Sequence, residues 1–179
     1  MSDGSPIRLL VVCHANVARS VAAARLLGAA AAKRGALVDI RTAGTHATDG
    51  QAVSMQTRSA LGELVGGELG LESHRSRGVD DDDVAWADLV VAMEASQVRW
   101  LRRRHPEASA RTATMGLLAR ELPVGPESLA ERIAAMGLGE HEPDDLDDVP
   151  DPVGDVDAYR STIRSLALQC EALVARLVD

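Results

Sequence analysis

A chain of 179 residues has room for one domain with a substantial core, and 46% hydrophobic with 26% charged residues is a globular composition, not a disordered one. The net charge of −8 argues against nucleic acid or an anionic membrane surface as partner, although a local anion site can sit on an acidic protein. Two cysteines far apart make no disulfide framework, no apolar run approaches the roughly 20 residues of a membrane span, and no basic segment leads into an apolar signal stretch, so a reducing, cytoplasmic setting is expected.

In chain order, Leu9 to Val12 is an apolar, β-branched run that reads as a buried parallel strand. Cys13-His14-Ala15-Asn16-Val17-Ala18-Arg19-Ser20 follows directly. A loop from Cys13 to Arg19 can curl so that its N–H groups converge on one anion. Arg19 supplies a planar fork of donors for two phosphate oxygens. A thiol at the base of such a loop, beside a helix N-terminus, is held toward its nucleophilic thiolate form. Alone, Cys13 reads as a small buried hydrophobe. The arginine at the strand-to-helix turn shifts the reading to a phosphate site with a nucleophile. Asn16 suits a left-handed backbone position. Ser20 reads first as a helix cap, and is also placed to hydrogen-bond the thiolate.

Arg19 to Arg34 is rich in Ala and Leu and stops before Gly35, which predicts a helix. Leu37 to Arg41 reads as a second strand. Gln51 to Leu64 reads as a helix whose end is frayed by Gly62, Gly66, Gly67 and Gly70. Leu89 to Met93 is a third strand, followed by a helix from Ser96 to Arg104. Its terminal Arg102-Arg103-Arg104 reads as a solvated end at the favourable negative pole. Arg111 to Met115 is a shorter fourth strand, and Ser128 to Met136 a helix. Residues 139–151 are acidic and proline-punctuated, a surface loop. Within it, Asp151 precedes Pro152 on a restricted turn that can present the carboxyl to the anion loop. Asp155 to Leu177 contains a long amphipathic helix with Ile163, Leu166, Leu173 and Leu177 among its apolar positions.

This alternation predicts an α/β fold: three layers, α/β/α, with a four-stranded parallel sheet and a phosphate-binding loop after the first strand. Ligands of such sheets bind beyond the strand C-termini, where Cys13 lies. No repeat or boundary divides the chain, so residues 1–179 are expected to form one domain.

The segment from Cys13 to Ser20 resembles the phosphate-binding loop of the low-molecular-weight protein tyrosine phosphatases, whose fold also serves the thioredoxin-coupled arsenate reductases. Arg41-Thr42-Ala43-Gly44-Thr45 is similar to that family's Ser-Ala-Gly-Thr segment, and Ser73-His74-Arg75-Ser76-Arg77 to its His-x-x-Arg stretch. Asp88 to Met93 resembles its third strand, and Asp151-Pro152 its late Asp-Pro pair. The resemblance covers nearly the whole chain. It implies Cys13, Arg19 and Asp151 as catalytic residues, with His14, Ala15, Asn16, Val17, Ala18 and Arg19 forming the phosphate-binding loop. It also implies Asn16, Ser20, Thr42 and His74 in support, the Asn16 amide bracing His74 or Thr42. The thiolate attacks phosphorus in line while Asp151 protonates the leaving oxygen. Water, with Asp151 now as base, then hydrolyses the cysteinyl phosphate. No metal or other cofactor is expected, since the loop supplies the positive potential. His14, His46, His105 and His141 show no metal-ligand spacing.

Departures from the family pattern bear on the substrate. Ala18 stands where many members carry a second cysteine, so no vicinal disulfide can protect Cys13, and Cys170 reads as a packing residue. Val21 replaces a common proline and Val153 a common aromatic residue. The chain has no Phe, one Tyr (Tyr159) and two Trp (Trp86, Trp100), which fall in predicted helices, not in pocket loops. A phosphotyrosine pocket needs planar apolar walls. His14, pointing outward, is placed to touch substrate, and His46 or aliphatic side chains stand in for the missing rings. The expected function is therefore phosphomonoester hydrolysis. A phosphotyrosine protein is the substrate the resemblance implies, and a small phosphate ester such as a nucleotide or sugar phosphate is the alternative. An arsenate reductase needs further thiols, and residues 74–95 hold none. A non-catalytic phosphate-binding module requires Cys13 to be unreactive or Asp151 to be misplaced. The oligomeric state stays open.

Overall fold

The computed structural model describes residues 5–66 and 70–178. Of the glycines predicted to fray the 51–64 helix, Gly67 lies outside these residues. The strands are β1 (Ile7–Cys13), β2 (Val38–Gly44), β3 (Leu89–Ala92) and β4 (Thr112–Thr114). They form one sheet in the order β2-β1-β3-β4, and every pairing is parallel.

Parallel strands covered on both faces must be apolar throughout. Leu9 to Val12 and Leu89 to Ala92 meet that demand, all at 0% exposure. The two-residue period sorts them between two cores. Leu9, Val11, Leu89 and Val91 face the larger one, against α1 (Arg19–Lys33), α2 (Met55–Val65), α5 (Met115–Glu121), α6 (Leu129–Ala135) and α7 (Val156–Val178). Leu10, Val12, Val90 and Ala92 face the smaller one, against α3 (Asp81–Trp86) and α4 (Ala95–Arg104). Truncating a fully buried leucine such as Leu10 to alanine costs about 2–5 kcal/mol. The predicted three-layer α/β/α arrangement with a four-stranded parallel sheet is thus present.

The sheet reaches further than local pattern predicts. β2 continues three residues past Arg41, because Thr42, Ala43 and Gly44 pair with Val11, Val12 and Cys13. Residues 51–54 are not helical; Ser54 caps α2 instead, its Oγ accepting from Thr57 N at 3.1 Å. Two short helices escaped the sequence pattern. α3 begins in an aspartate run, with Asp80 as its cap. α5 follows β4 without a connecting loop, capped by Thr114. Ser20 is not the cap of α1: it lies within the helix, and Ala18 stands at the cap without a side-chain bond.

The basic end of α4 is not simply solvated. Arg102 donates to the carbonyls of Leu138 and, at 2.6 Å, His141. The 139–151 segment is only partly a surface loop. It contains a short 3-10 turn (Asp145–Asp147), and Asp147 and Val149 are buried. Among the described residues no helix is long and apolar enough to cross a membrane.

Candidate active site

β1 delivers Cys13 to the C-terminal edge of the sheet, and the chain turns through residues 14–18 into α1. The turn requires Asn16 at φ 57°, a left-handed conformation that asparagine tolerates. That curl brings Asn16 N–H to 3.3 Å from Cys13 Sγ. Ser20 Oγ lies 3.1 Å from the same sulfur, and Asn16 Nδ2 donates to Ser20 Oγ at 3.0 Å. Cys13, Asn16, Arg19 and Ser20 are all buried.

Neighbouring segments hold the loop from outside. Thr45 N donates to the Cys13 carbonyl and His46 N to the His14 carbonyl, both at 2.9 Å. Ser54 N donates to the Val17 carbonyl at 2.9 Å. A Cβ on Gly44 would stand 2.5 Å from the His14 carbonyl oxygen, so only glycine lets β2 pass this close.

The Asn16 amide does not brace His74 or Thr42. His74 Nε2 donates to the Asn16 backbone carbonyl at 2.8 Å, while the amide serves Ser20 and accepts from Arg77 N at 3.1 Å. Thr42 is paired with Val11 in the sheet and is not a partner of that amide. The physical reason is reach: the amide is spent inside the loop and on the nearest main-chain donor.

Arg19 closes the loop from within α1. Its Nη1 donates to the Val149 carbonyl at 2.9 Å and is bonded to Glu94. Its Nε lies 3.0 Å from Asp151 Oδ1. Asp151 is placed by the segment before it. Val149 N donates to the Met93 carbonyl at 2.7 Å, and Asp148 Oδ1 accepts from Ala95 N at 2.6 Å. Arg120 pairs with Asp147, whose carbonyl passes Gly116 so closely that a Cβ there would stand 2.5 Å from it. Burial pushes the Asp148 carboxyl above its ordinary value, against the Ala95 N–H that favours the charged form; Glu94 and Asp145 add to the rise.

Sequence reasoning missed Glu94. It caps α4 through a reciprocal pair with Gln97, and its free carboxylate edge takes Arg19. Its position just past β3, at the ligand-binding edge of the sheet, was the available signal.

His14 is exposed and stacks on His46, ring centroids 4.8 Å apart at 17°. Trp100 lies in α4, as predicted, yet its ring is tilted 6.1 Å from His46. Aromatic surface therefore stands next to the loop, contrary to the expectation that both tryptophans lie away from it. Trp86 sits instead under the Arg41 guanidinium at 4.1 Å, and Tyr159 packs against the larger core. Cys170 is fully buried, and burial pushes its thiol up.

The site thus gathers a thiol, loop N–H groups, a guanidinium and an exposed carboxylate at one strand end. These are the parts needed to hold a phosphoryl group, attack it and protonate what leaves. The sequence profile of the Low molecular weight phosphotyrosine protein phosphatase family matches residues 8–120. The protein-arginine-phosphatase of Geobacillus stearothermophilus is 33% identical over 111 residues, which is 62% of this chain and 70% of that protein. The solved YwlE arginine phosphatase from the same organism superposes with a TM-score of 0.72 at 27% identity, covering 96% of this chain and 93% of that one. A low molecular weight protein tyrosine phosphatase from T. tengcongensis superposes with a TM-score of 0.75 at 26% identity, covering 96% and 99%. On fold, loop and profile together, the chain belongs to the low molecular weight phosphotyrosine protein phosphatase family and is a cysteine-dependent phosphatase.

Proposed function

We propose that this phosphatase acts on phosphorylated protein side chains, with Cys13 as nucleophile, Arg19 as phosphate clamp and Asp151 as general acid. One observation carries the reading: a single buried guanidinium links the loop that cradles Cys13 to the exposed carboxylate of Asp151, at 3.0 Å. The loop N–H groups and Arg19 bind the equatorial oxygens of the phosphoryl group. The sulfur forms a bond to phosphorus as the bond to the leaving atom breaks, and Asp151 gives that atom its proton. Water then attacks the cysteinyl phosphate, Asp151 takes its proton, and the thiolate returns. The Ser20 hydroxyl supports the thiolate, and His74 and Asn16 hold the loop's shape. A reducing, cytoplasmic setting goes with two buried, unpaired thiols.

Phosphotyrosine is the first substrate reading. The stacked His14–His46 pair, backed by Trp100, offers a planar surface where the chain lacks other aromatic residues. Phosphoarginine is the second. It is favoured by the 33% identity to a protein-arginine-phosphatase and by Val153 after Asp151-Pro152, which leaves the rim open to a non-aromatic group.

The test is phosphate release from phosphotyrosine peptide, phosphoarginine peptide, nucleotides and sugar phosphates, with Cys13→Ser as control. Cys13-dependent turnover led by phosphotyrosine supports the first reading, and turnover led by phosphoarginine the second. Turnover led by a small ester overturns the protein-substrate class. Turnover that survives in Cys13→Ser overturns the nucleophile.

A further inference from the structure

Asp83 lies outside the machinery described above, yet it anchors the segment against which the loop leans. It sits in α3 at 3% exposure and takes two guanidinium groups. Arg41 Nη1 reaches its Oδ1 at 3.3 Å, and Arg77 Nη1 bonds its Oδ2. Asp80 lies 3.6 Å from the same Arg77 nitrogen. A buried carboxylate is costly unless it is paired and hydrogen-bonded; Asp83 is both, and in return it fixes Arg77. The Asp83 hydrogen bond is also the main cause that raises the Arg77 guanidinium above its ordinary value.

The main chain of Arg77 faces the loop. Its carbonyl accepts from Gly44 N at 2.9 Å, and its N–H donates to Asn16 Oδ1 at 3.1 Å. An amide oxygen accepts and an amide nitrogen donates, so with Oδ1 turned to Arg77 the Nδ2 end must face Ser20. Nδ2–H then occupies a lone pair of Ser20 Oγ at 3.0 Å. The hydroxyl proton is left free for Cys13 Sγ, 3.1 Å away.

We infer that the Asp83–Arg77 pair is a positioning device for the nucleophile. It fixes the N–H that orients the Asn16 amide, and the amide in turn aims the Ser20 proton at sulfur. The inference rests on the reading of Cys13 as the nucleophile. Asp83 and the Arg77 side chain act through Asn16 and Ser20 and touch no phosphate. Without the pair, the amide and hydroxyl sample other orientations and the thiolate loses a donor. The titratable groups around the loop and its clamp (His14, His46, His74, Arg19, Glu94, Asp151) are the same in every variant below.

The experiment follows iodoacetamide alkylation of Cys13 by mass spectrometry across pH in Asp83→Asn, Arg77→Gln and Arg41→Gln. Cys170, at 0% exposure, stays out of the reaction. At mildly acidic pH, Asp83→Asn and Arg77→Gln are expected to alkylate about tenfold more slowly than the natural chain. At alkaline pH, where the thiol ionises regardless, the rates converge. Arg41→Gln, which removes the arm of Asp83 that leads away from the loop, keeps the natural profile. Natural profiles in both Asp83→Asn and Arg77→Gln overturn the inference, as does an equal loss in Arg41→Gln. Should Asp83→Asn fail to fold, Arg77→Gln decides alone. Alkylation needs no phosphorylated substrate, so failure here is distinct from failure of the proposed activity, which the Cys13→Ser control reads.

Discussion

Arg19 Nε stands 3.0 Å from Asp151 Oδ1 without a directed hydrogen bond, so charge alone holds the pair. The two partners differ sharply in freedom: the Arg19 side chain is 2% exposed and the Asp151 side chain 55%. Nη1 of the same guanidinium is tied to Glu94 and the Val149 carbonyl. With its carboxylate more than half exposed, the Asp151 arm is screened by water more than the arm to Glu94, whose side chain is 23% exposed. Under the proposed mechanism, a phosphate entering the loop is expected to displace Asp151 from Arg19 and leave the carboxyl beside the leaving group, while the bonds of Arg19 to Glu94 and the Val149 carbonyl stay in place.

Replacing Cys13 by serine removes the proposed nucleophile and little volume. Phosphate release should fall by a factor on the order of a thousand or more, with the thermal midpoint close to that of the natural chain. Native thiol titration should find no reactive cysteine in this variant, since Cys170 is buried and its thiol is pushed up. Retained turnover would refute the assignment.

Asp151→Asn keeps the shape and removes the proposed general acid. Turnover of unactivated phosphates should drop about a hundredfold. Nitrophenyl phosphate, whose leaving group needs little protonation, should lose far less. Equal losses on both would sink the acid role.

Two glycine variants separate the loop from the acid segment. Gly44→Ala drives a methyl against the His14 carbonyl and should cost about 1–3 kcal/mol, with loss of vanadate binding. Gly116→Ala drives one against the Asp147 carbonyl instead. It should retain vanadate binding and reproduce the leaving-group dependence of Asp151→Asn. Loss of vanadate binding in Gly116→Ala would show that the two segments are not independent.

Asp148 gives a stability signature in pH. Its carboxyl is raised, through burial first, so the folded chain holds the proton to higher pH than the unfolded chain does. Between the two values the folded state binds more protons, and stability falls as pH rises through that window. The penalty is fully present above the folded value and absent below the unfolded one. Asp148→Asn can keep the bond from Ala95 N and should raise the thermal midpoint at neutral pH, with the gain vanishing below the ordinary carboxylate range. A gain of the same size at every pH would contradict this account.

Much of the fold was legible because its signals are local. The apolar runs at Leu9–Val12 and Leu89–Val91 announce strands buried on both faces, and they are. The ends were less legible. β2 runs on to Gly44 because β1 offers it partners there, a pairing no window of β2 contains. α3 and α5 are 6 and 7 residues long, too short for a periodic pattern, and caps and packing establish them.

The site divides in the same way. Spacing within one turn of chain placed Cys13, Asn16, Arg19 and Ser20 together, since a strand-loop-helix junction has few ways to curl. Glu94, Arg77 and Asp83 lie 75, 61 and 67 residues from the loop residues Arg19, Asn16 and Asn16 (94 − 19, 77 − 16, 83 − 16); Glu94 is marked only by its place after β3, Arg77 only by the His-x-x-Arg resemblance, and no local pattern shows what any of the three contacts. Ser20 shows how context overrides propensity: a serine at a helix start turned out to be buried against sulfur.

By itself, then, the sequence determined the strand-to-helix junction, its thiol and guanidinium, and the alternation that makes a parallel sheet, because each depends on residues a few positions apart. Only the tertiary structure decided that Glu94 joins Asp151 at Arg19, which main-chain N–H turns the Asn16 amide and which rings stand beside His14. Those contacts join β3, the 145–151 segment and the 74–78 segment to one strand end. Such partners are selected by packing of the whole sheet and its helices, a property no local stretch of chain encodes.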